Sequence, residues 1–135
     1  MKIVLFNWKD IHHPQAGGAE LLTHEIFKRI VKDGHEVTLV TANYKGAHMS
    51  DLVDGIKIFR MGNKLTVYPL ACFYYLKNLK KDADLVIDEI NTIPFMAKFY
   101  AGKPNIIFIH QLAREIWFYE MPKFIGWVGY LLEPI

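Results

Sequence analysis

The chain of 135 residues has one cysteine, Cys72. It closes no internal disulfide, and such sparing use fits a reducing compartment. Cys72 sits among apolar neighbours, which suits a packing residue better than a nucleophile. No apolar run approaches the roughly 18 residues of a membrane span, and Asn7 breaks the N-terminal run too early for a secretion signal. A net charge of +2 is too small to argue for nucleic acid. Familiar phosphate and nucleophile signatures are also missing. The glycines after the first apolar segment read Ala16-Gly17-Gly18-Ala19 instead of G-x-G-x-x-G, and the second leads into Thr41-Ala42-Asn43 with no acidic residue. Both halves of the dinucleotide fingerprint therefore fail. There is no G-x-x-x-x-G-K-[ST] and no G-x-S-x-G. His12-His13 has no accompanying cysteine or carboxylate cluster at ligand spacing, so no metal site is expected.

What is present is an alternation of strands and helices. Apolar residues make up 52% and charged residues 22%, the balance of one globular domain with a sizeable core. Ile3 to Phe6 reads as a buried strand, followed by a polar loop and a helix from about Gly18 to Asp33. Its stripe is Ala19, Leu22, Ile26 and Ile30, and Gly34 ends it. Glu36 to Thr41 is a β-branched strand. Asp54-Gly55 offers a hairpin turn, but the simpler reading is a turn into an edge strand at Ile56 to Arg60. Thr66 to Lys81 reads as a helix burying Leu70, Phe73, Tyr74 and Leu79, with Pro69 in its first turn. Leu85 to Ile87 is the next strand, and Asn91 or Thr92 caps a short helix through Tyr100. Asn105 to Ile109 is nearly all apolar, as a strand covered on both faces should be. A last apolar helix is expected from about Lys123 to Leu132. The pattern predicts an α/β fold: a Rossmann-like, doubly wound parallel sheet of about five strands, helices on both faces, spanning 1–135 as one domain.

In such sheets ligands bind beyond the carboxyl ends of the strands. Gly17 and Gly18 follow the first strand, Glu89 the fourth, and His110 ends the fifth. A strand order of 3-2-1-4-5 would bring them together. The glycine pair opens a helix, where free N–H groups and the dipole favour an anion such as phosphate. His110 can orient a hydroxyl, donate to a phosphate or act as a base near neutral pH. Glu89 reads equally as a hydroxyl ligand or a solvated loop carboxylate. Glu20 reads as a first-turn carboxylate suited to the dipole. His13 lies in a loop at the functional edge.

The segment from His13 to Glu20 (HPQAGGAE), then Asp33 to Thr41 and Asp54 to Ile58, resembles the start of family 4 glycosyltransferases of the GT-B fold. Asp84 to Asn91 and Ile107 to Gln111 are similar to that family's later strands and loops. The resemblance implies an enzyme that moves a sugar from a nucleotide-sugar donor to an acceptor hydroxyl, usually with retention and without a required metal or other cofactor. By position, Gly17 and Gly18 would lie near the donor phosphates and the acceptor, and His110 beside the transferred sugar. His13, Glu20 and Glu89 are the further candidates for substrate binding. Nothing in the sequence matches the family's C-terminal, donor-binding domain. The expectation is an acceptor-side N-terminal domain, a fragment inactive alone, whose donor part lies in cis or in a second chain. The implied setting is polysaccharide or glycolipid assembly in the cytoplasm, with a sugar or lipid-linked acceptor. Trp117, Phe118, Tyr119, Trp127 and Tyr130 then suit packing against the missing part, or a peripheral contact at the inner face of the membrane. Exposed apolar surface would also favour a homodimer. The competing readings are a non-catalytic Rossmann-like module that binds a ligand or partner, and a flavodoxin-like enzyme with a phosphorylated ligand.

Overall fold

The computed structural model describes residues 1–91 and 93–110. The expected last helix and the aromatic segment from Trp117 to Tyr130 lie outside them. The described elements run β1 (Lys2–Phe6), α1 (Gly18–Lys32), β2 (Glu36–Ala42), β3 (Ser50–Val53), β4 (Ile56–Met61), α2 (Val67–Tyr74), a π-helical turn (Tyr75–Leu79), β5 (Leu85–Ile90), α3 (Ala97–Tyr100) and β6 (Asn105–Ile109). They form one sheet in the order β3-β4-β2-β1-β5-β6. Every pairing is parallel except β3 with β4. This is an α/β, Rossmann-like arrangement.

β1 is central. Ile3 pairs with Val37 on one side and Leu85 on the other. Alternation along the strands then sends side chains to two cores. Ile3, Leu5, Val37, Leu39, Ile58 and Ile87 pack against Phe27, Ile26 and Ile30 of α1. Val4, Phe6, Val40 and Val86 pack on the opposite face against Val67, Ala71, Tyr75 and Ala97. There Phe6 stacks on Phe95 with 5.4 Å between ring centroids. Tyr75 is fully buried and donates its hydroxyl to Ala101 O at 2.8 Å. Cys72 is half-buried beside this core, and burial pushes its thiol pKa up.

Several local expectations are corrected. Asp54 and Gly55 both have positive φ (49° and 83°), as a primed hairpin turn requires, so the edge is a β3–β4 hairpin and the sheet has six strands. A Cβ on Gly55 would stand 2.5 Å from Val31 Cγ1, so the turn can approach α1 only with glycine there. The long second helix turns Leu70 and Phe73 outward and buries Val67, Ala71 and Tyr75. That segment is apolar nearly all round, so periodicity could not choose its inner face. The helix after β5 is reduced to the single turn α3. The carboxylate of Asp88 instead accepts the Phe95 and Ala97 amides at 3.0 and 3.2 Å. β6 is the outer strand of the described sheet, with Ile106, Ile107 and Ile109 exposed. Apolar composition signals a need for cover, and among the described residues Phe108 alone of its side chains packs into a core.

Candidate functional site at the carboxyl edge of the sheet

The inner face of α1 changes character along its length. Its C-terminal half packs Ile26, Phe27 and Ile30 on the sheet. Its N-terminal half buries Glu20, Thr23 and His24, while Leu21 and Leu22 are exposed. The expected inward Leu22 is thus displaced by polar side chains. Buried polar groups at a helix start need partners; Asp54 of the β3–β4 turn meets His24, and residues at the ends of β1, β5 and β6 meet Glu20 and Thr23.

Glu89 is the hub. It lies within β5 and is 1% exposed, so it is not a solvated loop carboxylate. Its Oε2 accepts from Asn7 Nδ2 at 2.8 Å and from the Thr23 hydroxyl at 3.1 Å. His110 Nε2 lies 3.4 Å from the same hydroxyl and 3.6 Å from Glu89 Oε2. Thr23 has one proton, and a carboxylate can only accept, so that proton points to Glu89. The hydroxyl must then accept from His110, which places the imidazole proton on Nε2. Nδ1 of the neutral ring is left as the acceptor. Glu89 Oε1 is buried without a hydrogen-bond partner among the described residues.

A second carboxylate stands beside the first. Glu20 is buried, and its Oε2 accepts the Gly17 amide at 2.8 Å. This is half of a capping box, the half that glycine's missing side chain does not need to complete. Lys9 Nζ lies 3.5 Å from that carboxylate. Asn91 donates to Glu20 Oε1 at 2.8 Å and to Asn7 Oδ1 at 3.0 Å, joining the two carboxylates through amides. The Gly17 amide is thus engaged within the chain. Gly18, by contrast, has nothing within 4 Å of where a Cβ would stand, and first-turn amides have no intrahelical acceptor.

The loop from β1 to α1 is held from below. Asp10 and Arg60 are both buried and form a two-point ion pair at 2.7 and 3.3 Å. Asp10 Oδ1 also accepts the His12 amide at 2.8 Å. His13 is not at the carboxylate hub. Its ring packs edge-on to Trp8 and Tyr44, and its Nδ1 accepts the Gln15 amide at 3.0 Å. Burial is the main cause that lowers its pKa, with Lys9 adding to it and Asp10 opposing. Among the described residues no group of three or more His, Cys, Asp or Glu side chains could hold a metal.

Glu89, Glu20 and His110, each singled out in the sequence, therefore meet at one edge with the glycine pair. Asn7, Thr23 and Asn91 complete the site. Asn7 could have been suspected because it interrupts an apolar strand, but Thr23 carries no local signal.

An open, mostly parallel sheet with a polar, two-carboxylate cluster at its carboxyl edge defines an α/β domain of the doubly wound class. The sequence model of Glycosyltransferase Family 4 matches residues 16–133, and the chain belongs to that family. The match covers the segments that carried the resemblance, apart from the first three residues of HPQAGGAE. No curated protein matches the chain. No helix among the described residues is long and apolar enough to cross a membrane.

Proposed function

We propose that this chain forms the acceptor side of a retaining glycosyltransferase that moves a sugar from a nucleotide-sugar donor to an acceptor hydroxyl in polysaccharide or glycolipid assembly. The observation that carries the reading is the Thr23-bridged placement of His110 on Glu89, beside the open start of α1. The two buried carboxylates hold Asn7, Thr23, Asn91 and the Gly17 amide in place at this edge. The Nδ1 of His110 is an acceptor that can hold or take a hydroxyl proton. Gly18 offers space and a helix-start amide to the departing diphosphate, whose charge grows in the transition state. The donor nucleotide is read by a further domain, in cis or in a second chain. The acceptor is a sugar or a lipid-linked sugar.

A transfer assay on the natural protein with a panel of nucleotide sugars tests this. His110→Ala is expected to lower transfer by about a hundredfold or more at an unchanged thermal midpoint. Transfer that survives the substitution at full rate would remove His110 from the site. Binding of sugars without any transfer would make the chain a non-catalytic module instead.

A further inference from the structure

The hydrogen bonds at the carboxyl edge close on themselves. Glu20 and Thr23 stand one turn apart on α1. Thr23 donates to Glu89 Oε2 at 3.1 Å, and Asn7 donates to the same oxygen at 2.8 Å. Asn91 donates to Asn7 Oδ1 at 3.0 Å and to Glu20 Oε1 at 2.8 Å, which returns the path to α1. This ring ties the first turns of α1 to the ends of β1 and β5. His110 meets it at Thr23, and the Gly17 amide meets it at Glu20. The two ends of the site, glycine pair and histidine, thus share one frame. Within it, Asn91 is the link that chemistry makes hardest to replace. A carboxylate only accepts, so the NH2 group of Asn91 must face Glu20. Asn7 Oδ1 also accepts the Lys9 amide at 3.3 Å, so it presents an acceptor as well. Asn91 Nδ2 has two protons and meets two acceptors, whereas an aspartate of the same shape has neither donor. Asn91 is half-buried, while Asn7, Glu20, Thr23 and Glu89 are buried, so changing it disturbs the core least.

We propose that Asn91 is a positioning residue that fixes the Gly17–Gly18 helix start against His110. It acts through Glu20 on one side and through Asn7 and Glu89 on the other. Its consequence for catalysis rests on the transfer reading. In that reading the departing diphosphate meets Gly18 while the acceptor hydroxyl meets His110. Both contacts serve one transition state, so a small slip between them costs rate. Such a slip lowers kcat and leaves KM nearly unchanged, because each contact on its own still binds.

Asn91→Asp and Asn91→Ala in the natural protein test it, read by NMR and by transfer kinetics. In both variants the Gly17 amide should exchange with water about tenfold faster, and the imidazole nitrogen shifts of His110 should move. Transfer should fall about tenfold or more in kcat, with KM changed less than about twofold. Asn91→Asp keeps the shape, so its loss reports the missing donors and not packing. One measurement needs no variant: the side-chain amide protons of wild-type Asn91 should exchange more slowly than those of exposed Asn63. Equal exchange at Asn91 and Asn63 would overturn the proposal. So would Gly17 and His110 signals that stay in place in both variants, or transfer at full rate once they have moved. Signals that move together in a protein that transfers no sugar would refute the transfer reading while upholding Asn91 as the tie between Gly17 and His110.

Discussion

Arg60 on β4 grips Asp10, fifty residues earlier in the loop after β1, with Nε 2.7 Å from Oδ2 and Nη2 3.3 Å from Oδ1. Its Nη1 also donates to His48 O at 3.0 Å. The pair spans from the hairpin edge of the sheet to the loop that borders the carboxylate hub. Removing Arg60 leaves Asp10 buried without its counterion, and removing Asp10 leaves Arg60 buried with only Asp51, 3.5 Å away, as a counter-charge. Arg60→Ala or Asp10→Ala is therefore expected to cost roughly 3–5 kcal/mol. The joint substitution Asp10→Leu with Arg60→Met should cost much less than the sum. Urea unfolding of the single and double variants checks this, and strictly additive losses would show that the two side chains are not coupled.

The proton arrangement at His110 is directly observable. With Thr23 donating to Glu89 and accepting from His110, the neutral ring should carry its proton on Nε2. Nitrogen chemical shifts of the imidazole report the tautomer. Thr23→Val removes the hydroxyl at nearly constant shape and should loosen that preference. A wild-type ring protonated on Nδ1 would contradict the network.

Gly55 is held by two independent constraints, a positive φ and the approach of Val31. Gly55→Ala should cost roughly 1–3 kcal/mol for the backbone, plus the steric clash. Gly34 has φ 98° and nothing within 4 Å of a Cβ, so Gly34→Ala should show the backbone part alone. Thermal denaturation of the two variants separates the terms. Equal losses would mean that Val31 yields freely.

The hairpin turn is also tied to α1 by His24 Nε2, 2.8 Å from Asp54 Oδ2. The hydrogen bond from His24 is the main cause that lowers the Asp54 pKa. A carboxyl depressed in the folded state releases its proton more readily there than when unfolded. Its contribution to stability is therefore present above the usual carboxylate range and lost as pH falls through the folded pKa. Asp54→Asn should lower the thermal midpoint at neutral pH. The gap to wild type should close in acid, below the ordinary value near 3.8. A gap that stays constant across that range would exclude the carboxylate as its source.

The strand order was readable because β1, β2, β4 and β5 are short apolar runs separated by helices or turns, and such runs have few ways to assemble. The placement of the glycine pair and of His110 was readable because the pair opens the first helix and His110 directly follows a strand. What escaped depends on distant pairings. Glu89 looks like a loop residue after Ile87, yet its partners Asn7 and Thr23 lie 82 and 66 residues away and make a carboxylate tolerable inside a strand. Leu22 has the spacing of a core residue, but the site takes the inward face at that height. Arg60 alternates correctly for a buried position, and only Asp10 shows why an arginine occupies it. The inner face of α2 was lost because Leu70 and Phe73 are as apolar as Val67 and Ala71, and nothing local distinguishes core from surface.

Gly18 begins α1 with no positive φ and no close neighbour, so neither turn geometry nor crowding requires glycine at that point. Alanine would favour the helix, by up to about 1 kcal/mol in a helix interior. The chain forgoes that gain and keeps an exposed, bare backbone at the start of α1. Gly18→Ala is for this reason an unusually clean instrument: any property it damages while the protein becomes firmer must belong to what the vacant space admits.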